Sequence, residues 1–75
     1  MKLNRLESIL EKMKVENLEQ MIISDPASIF YLTGKWIHPG ERMLALYIST
    51  RGEHKLFVNK LFPISEDLGV EIVWF

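Results

Sequence analysis

The chain has 75 residues, a formal net charge of −1 at pH 7 and 48% hydrophobic residues, including four Phe, two Trp and two Tyr. This length allows one domain, and the apolar content is high enough to form a core, which excludes a disordered chain. The charges are interspersed, so the chain lacks the basic face that nucleic-acid binding requires. It has no cysteine, which excludes a disulfide framework, a thiolate metal site and a cysteine nucleophile.

The N-terminal segment predicts an amphipathic surface helix. Its apolar residues recur at helical spacing, at Leu3, Leu6, Ile9, Leu10 and Met13. Asn4 with Glu7 is a possible capping box, and a start before Asn4 is the alternative. Asn17 is a plausible left-handed stop after which Leu18 folds back. The segment has no continuous apolar stretch of the signal-peptide kind, and the chain has no run of about 20 apolar residues. We therefore expect a soluble, cytoplasmic protein.

Residues 20–24 predict a strand that is covered on both faces, because no polar residue interrupts its apolar middle. A short helix over Pro26–Thr33 is predicted next. Asp25 supplies an acceptor for the free amides at its start, Pro26 suits the first helical position, and Gly34 suits a left-handed end. We expect the apolar residues of this helix to pack in the core.

The second half predicts three more strands. Residues 43–49 and 55–58 are apolar runs joined through residues 50–53, a connection short enough for a β-hairpin. A short helix is expected from about Phe62 to Gly69, with Pro63 in its first turn, and residues 70–75 form a last strand. The predicted fold class is α/β, with a mixed sheet of about four strands flanked by helices.

Residues 35–42, here called the candidate loop, combine an aromatic, a histidine, a Pro-Gly pair and an adjacent acid and base. Taken alone, His38 is a solvated side chain, Trp36 a loop anchor and Arg42 a surface charge before a strand. The other histidine, His54, is expected to be exposed, and the two histidines lack the spacing of metal ligands. Met21 and Met43 are expected to fill the core, as are the rings of two tyrosines, at positions 31 and 47.

The chain resembles the N-terminal domain of the Xaa-Pro peptidases (prolidase and aminopeptidase P) and creatinase. The resemblance runs through three segments in order, RLESILEKMKVENLEQMIIS, SDPASIFYLTGKWIHPGER and MLALYIST-RGEHKLFV. It implies a ribonuclease-H-like sheet topology and a non-catalytic domain of a homodimeric Xaa-Pro dipeptidase. In that family a separate pita-bread catalytic domain, absent from this chain, holds two divalent metal ions (Mn, Co or Zn) through two Asp, one His and two Glu.

The resemblance also implies roles for the candidate loop, which in this family crosses the dimer and helps to wall the active site of the partner subunit. Trp36 becomes an apolar wall and His38 a polar contact to the proline-containing peptide substrate. Glu41 and Arg42 match the acid–base pair at the end of the family's loop, and Arg42 could bind a carboxylate bidentately. As neighbours in an extended segment, Glu41 and Arg42 point to opposite sides and do not pair. Lys35 stands where the family often has an aromatic residue.

Two further functions are compatible with the same resemblance. One is a catalytically inactive module that uses the fold to bind peptides or proteins, and the other is the N-terminal domain of a creatinase-like hydrolase. The chain stops within the apolar run VEIVWF, so we expect an incomplete N-terminal domain over residues 1–75. The alternative is a naturally short protein with a docked terminal strand.

Overall fold

The computed structural model describes residues 1–38, 42–62 and 64–75. Its elements in chain order are α1 (Leu3–Val15), β1 (Gln20–Ile23), α2 (Pro26–Thr33), β2 (Leu44–Ser49), β3 (His54–Val58) and β4 (Glu71–Trp74). The strands form one sheet in the order β1-β2-β3-β4. β2 is antiparallel to both of its neighbours, whereas β4 runs parallel to β3. The predicted α/β class, the mixed four-stranded sheet and the β2–β3 hairpin are confirmed.

The two helices end as their sequences predict. After α1, Asn17 has a φ of 59°, and the Leu18 amide donates to the Met13 carbonyl at 2.8 Å, which satisfies an orphan carbonyl of the last turn. After α2, Gly34 has a φ of 80°, and its amide donates to the Phe30 carbonyl at 2.8 Å. Both left-handed ends are confirmed.

The predicted start of α2 is confirmed, whereas the predicted start of α1 is wrong. The Asp25 carboxylate accepts hydrogen bonds from the Ser28 hydroxyl at 2.8 Å and the Ser28 amide at 3.0 Å, which confirms the predicted cap of α2. The Asn4–Glu7 capping box of α1 is wrong. The helix begins earlier, with Lys2 rather than Asn4 as its N-cap and with no side-chain cap, and the Lys2 amide donates to the Leu32 carbonyl at 2.7 Å.

The core lies between the helices and one face of the sheet. Side chains alternate across a strand, and the strand residues of the core cluster share that face: Leu44, Leu46, Ile48, Leu56 and Val58. The helices contribute Leu6, Met13, Ile29 and Leu32 to the same cluster. Each fully buried side chain of this kind stabilises the fold by about 2 kcal/mol.

The prediction that β1 is covered on both faces is wrong. β1 is an edge strand that pairs only with β2, and Ile22 is 70% exposed on the face away from the helices. Phe57 and Val73 are half-buried on that same face. Met43 also departs from its predicted core position, being exposed just before β2, while Met21 is half-buried at the edge of the core.

The short helix predicted from Phe62 is also wrong, since the described residues between β3 and β4 contain turns and no helix; Pro63 is not among them. Side chains here bond to nearby amides instead, which offers the backbone an alternative to a helix. Asn59 Oδ1 accepts from the Leu61 amide at 2.9 Å, and Asp67 Oδ1 accepts from the Gly69 amide at 2.8 Å.

Candidate functional site

The first half of the candidate loop is fastened to the end of α2. The Thr33 hydroxyl donates to the Ile29 carbonyl at 2.7 Å and accepts from the Lys35 amide at 3.1 Å. Ile37 is then buried in the core cluster. Since the side chains on either side of Ile37 are exposed, this one apolar anchor holds Trp36 and His38 at the surface.

Trp36 and His38 form a contacting aromatic cluster together with Phe30 of α2, here called the aromatic triad. The Trp36 ring meets the Phe30 ring edge to face at a centroid distance of 5.7 Å, and meets the His38 ring in the same way at 5.5 Å. The indole Nε1 of Trp36 donates a hydrogen bond to Nδ1 of His38 at 3.2 Å. The structure therefore brings together two of the four predicted site residues.

A cavity of about 260 Å³ opens beside the triad. Its lining residues are Lys35, Trp36, Ile37, His38, Phe62 and Ile64. At its margin the Lys35 ammonium contacts the Glu66 carboxylate at 2.8 Å, and that hydrogen bond lowers the pKa of Glu66. The cavity thus joins an apolar wall to an imidazole and a salt bridge, a combination suited to a small peptide group.

Of the other two predicted site residues, only Arg42 is among the described residues. Arg42 is exposed two positions before β2. Glu41 lies outside the described residues, so the predicted geometry of the Glu41–Arg42 pair stays a prediction.

Sequence reasoning missed Phe30 as a member of the site, because it assigned the apolar residues of α2 to the core. Ile29, Leu32 and Thr33 are buried and recur at helical spacing, whereas Phe30 is 45% exposed. A helical projection carries the missing signal, since position 30 lies about 100° from position 29. Phe62 and Ile64 were missed because a helix was expected there.

The second histidine is distant from the triad in the fold. His54 is the first residue of β3 and lies opposite Ile48, where it is half-buried rather than exposed as predicted. The Ser49 amide donates to its Nδ1 at 3.4 Å, and burial lowers the pKa of the imidazole. The imidazole lies at the end of β3 that follows the β2–β3 turn.

Neither metal ligation nor membrane insertion is visible in the described part of the chain. Within residues 1–38, 42–62 and 64–75, no group of three or more His, Asp or Glu side chains could hold a metal ion. No helix among these residues combines the length and apolar content needed to cross a membrane. The aromatic triad instead provides an apolar contact surface with one polar ring, the imidazole of His38.

The fold and the sequence pattern match a known family over most of the chain. Residues 5–68 match the Creatinase/Prolidase N-terminal domain. The chain belongs to this family. The match spans α1 through the turns that follow β3, and so includes the candidate loop and the whole aromatic triad.

Structures of the same family extend the comparison. The creatinase/prolidase N-terminal domain of an X-Pro dipeptidase from Streptococcus pyogenes superposes with a TM-score of 0.82 at 29% identity, covering 96% of this chain and 56% of that one. A proline dipeptidase from Streptococcus pneumoniae gives a TM-score of 0.70 at 39% identity, covering 75% of this chain and 42% of that one. These similarities confirm the family and the fold expected from the sequence.

Among curated proteins, an uncharacterized peptidase of Staphylococcus saprophyticus is 42% identical over 57 residues. The matched region is 76% of this chain but 16% of that relative. The chain thus corresponds to an N-terminal domain of X-Pro dipeptidase-like peptidases, and spans about one sixth of the relative's length.

Proposed function

We propose that this chain is the non-catalytic N-terminal domain of a cytoplasmic Xaa-Pro dipeptidase. The parent protein would hydrolyse the bond before proline with two divalent metal ions, Mn, Co or Zn, held in a separate catalytic domain. One observation carries this proposal: 96% of the chain superposes on the N-terminal domain of an X-Pro dipeptidase, with a TM-score of 0.82. The metal chemistry belongs to the catalytic domain, and the residues of this chain have a different task.

That task is to complete the active site of the partner subunit in a homodimer. The proposal is supported by the way Ile37 and Thr33 fix the loop while Trp36 and His38 remain at the surface. A rigid, exposed indole provides an apolar wall for a proline ring, and a neutral imidazole can donate one hydrogen bond to a peptide oxygen. Arg42 would hold the terminal carboxylate of a dipeptide, which limits the substrate length.

The first test is the reading frame that follows the codon for Phe75, together with the activity of its product. An open frame that encodes two Asp, one His and two Glu as metal ligands, and a product that releases proline from Xaa-Pro dipeptides, support the proposal. A stop codon, or a frame without these ligands, supports a catalytically inactive binding module. A product that cleaves creatine instead supports a creatinase-like hydrolase.

The 75-residue chain is the control for that assay. It should release no proline above the blank and bind no Mn²⁺, Co²⁺ or Zn²⁺ stoichiometrically in calorimetry, because the histidines and acids among its described residues form no convergent ligand set. Stoichiometric binding of one of these metal ions with micromolar affinity would contradict the assignment of metal binding to the catalytic domain alone.

A further inference from the structure

The hydrogen bond within the aromatic triad fixes the protonation of His38. An indole N–H is a donor only, so the ring nitrogen that faces it must be an acceptor. Nδ1 of His38 lies 3.2 Å from Nε1 of Trp36 and therefore carries no proton. A neutral imidazole has one protonated nitrogen, so the proton of His38 is on Nε2.

We propose that Phe30 and Trp36 are positioning residues that hold His38 as its Nε2–H tautomer. The loop then presents one oriented donor, and the ligand group it fits is an acceptor oxygen, either the carbonyl or the carboxylate of a proline-containing peptide. This assignment of a substrate group rests on the proposed function. The positioning itself is a property of this chain and can be tested without a catalytic domain.

Ring contacts connect α2 to the imidazole of His38: Phe30 contacts Trp36, and Trp36 contacts His38. Phe30 is held by α2, whose last turn is closed by the Gly34 amide bonding to the Phe30 carbonyl at 2.8 Å. Its ring stands at 72° to the Trp36 ring, which in turn stands at 70° to the His38 ring. Edge-to-face contacts favour a specific orientation, so each ring restricts the rotation of the next.

The position of Phe30 is not explained by the core. Its exposed fraction of 45% equals that of Trp36, and its neighbours Ile29 and Leu32 already fill the buried face of α2. Its ring instead contacts the ring of Trp36. The exposed phenyl ring of Phe30 supports the indole of Trp36, and the indole supports the imidazole of His38. This arrangement orients the imidazole.

The chain contains a matched control for the hydrogen bond. Its two tryptophans, Trp36 and Trp74, are 45% and 44% exposed, so the two side chains hardly differ in their overall exposure to solvent. A hydrogen bond slows exchange. We therefore expect the Trp36 indole proton to exchange several-fold more slowly than that of Trp74.

The experiment is NMR of the 15N-labelled 75-residue chain. Couplings from the carbon-bound ring protons identify which nitrogen of each histidine is protonated, even when the N–H proton itself exchanges fast. We expect a protonated Nε2 and a bare Nδ1 for His38. A protonated Nδ1, or equal exchange at the two indoles in the wild-type chain, would overturn the proposal without recourse to any variant.

Variants then separate positioning from folding. His38→Ala should raise the exchange rate of the Trp36 indole proton to that of Trp74. Phe30→Ala should raise the Trp36 rate part of the way. Phe30→Tyr, which keeps an aromatic ring, should leave the Trp36 rate at its wild-type value. The signals of Trp74 and His54 report whether each variant is folded. A folded Phe30→Ala chain with unchanged Trp36 exchange would remove Phe30 from the assignment.

In the parent protein, Phe30→Ala and Trp36→Phe should lower kcat/KM for an Xaa-Pro dipeptide in the same direction as His38→Ala but less, and Phe30→Tyr should retain the wild-type value. A parent protein that releases no proline would refute the proposed function while leaving the NMR result intact. Conversely, an active parent whose His38 carries its proton on Nδ1 would refute the positioning alone.

Discussion

His38 is held at the surface by its neighbours rather than by its own packing. Ile37 is buried beside it, and Trp36 bonds to its ring, so removal of the imidazole leaves the core untouched. Arg42 is likewise exposed outside the secondary structure. Residues of this kind contribute to contacts with other molecules more than to stability.

We therefore predict that His38→Ala or Arg42→Ala in the parent protein lowers turnover far more than it lowers the thermal midpoint. Exposed substitutions change stability by about 0.5 kcal/mol or less, whereas loss of a substrate contact acts directly on kcat/KM. Steady-state kinetics and thermal melts of the same preparations provide the comparison. Parallel losses of activity and stability would assign both residues a structural role, and unchanged kinetics would remove the loop from the substrate.

Asp25 provides a second test at the residue scale. Hydrogen bonds from the Ser28 hydroxyl and amide lower the pKa of this carboxyl from its ordinary value of 3.8. The folded state therefore favours the ionised form, and this stabilisation is present above pH 3.8 and is lost as the pH falls through the lower folded-state pKa.

We predict that Asp25→Ala lowers the thermal midpoint at pH 7, and that the gap to the wild type narrows in acid below about pH 3.8. Thermal melts at both pH values measure the gap. Ser28→Ala is the matched control, since it removes the hydroxyl donor but keeps the amide donor, and should show a smaller gap. A gap independent of pH would mean that the carboxylate charge does not cap α2.

At the scale of elements, the sequence predicts best where the chemistry is local. Asp25, Pro26 and Gly34 define α2 because each acts on the backbone within one turn. The exposure of Ile22 was not predictable in this way, since an apolar run looks the same at an edge and in the middle of a sheet. Strand order, which only the fold determines, makes the difference.

The same reasoning separates the predicted and the missed parts of the site. Trp36 and His38 stood out as unusual residues in a loop, and the structure places them in contact. Phe30 was missed because the apolar residues of α2 were assigned to the core together, without separating its exposed position from the buried ones. The turns between β3 and β4 escaped prediction because Asn59 and Asp67 bond to nearby amides, a choice that depends on rotamers rather than on periodicity.

His54, the first residue of β3, makes the stability of the fold depend on pH. Burial lowers the pKa of His54 below its ordinary value of 6.5, so the unfolded chain takes up a proton more readily than the folded chain. Stability from this group is therefore full above pH 6.5 and decreases as the pH falls toward the folded-state pKa.

We predict that the wild-type chain loses stability between pH 7.5 and 5, and that His54→Gln, which does not titrate, loses less over the same window. Thermal midpoints at steps of pH give both curves. This window lies above the titration of carboxyl groups, about pH 4, so the difference isolates histidine. Parallel curves would mean that His54 is as accessible in the folded as in the unfolded state.

At the scale of the whole molecule, the sheet face away from the helices carries apolar side chains that the described residues leave partly uncovered. Ile22 is exposed there beside half-buried Phe57 and Val73, and β1 and β4 are both edge strands. Exposed apolar area next to an unpaired edge favours association with another chain.

We predict that the isolated chain associates as a symmetric dimer through a sheet edge or the loop around Trp36. Sedimentation velocity across a wide concentration range should show a rising average mass. Ile22→Lys should weaken association through β1, while Val15→Lys, at an 83% exposed apolar residue of α1, is the control and should not. A strictly monomeric species at high concentration would contradict the prediction.

The central claim is that the loop of one subunit completes the active site of the other, and mixed dimers of the parent protein test it. One subunit carries His38→Ala with intact metal ligands, and the other carries an intact loop with one metal ligand removed, so each homodimer is impaired. After the two are unfolded and refolded together, activity should rise to roughly a quarter of wild type, because half of the dimers are mixed and each has one complete site. Activity that stays at the level of the separate homodimers would contradict the account, since it would place His38 in its own subunit's site or in none.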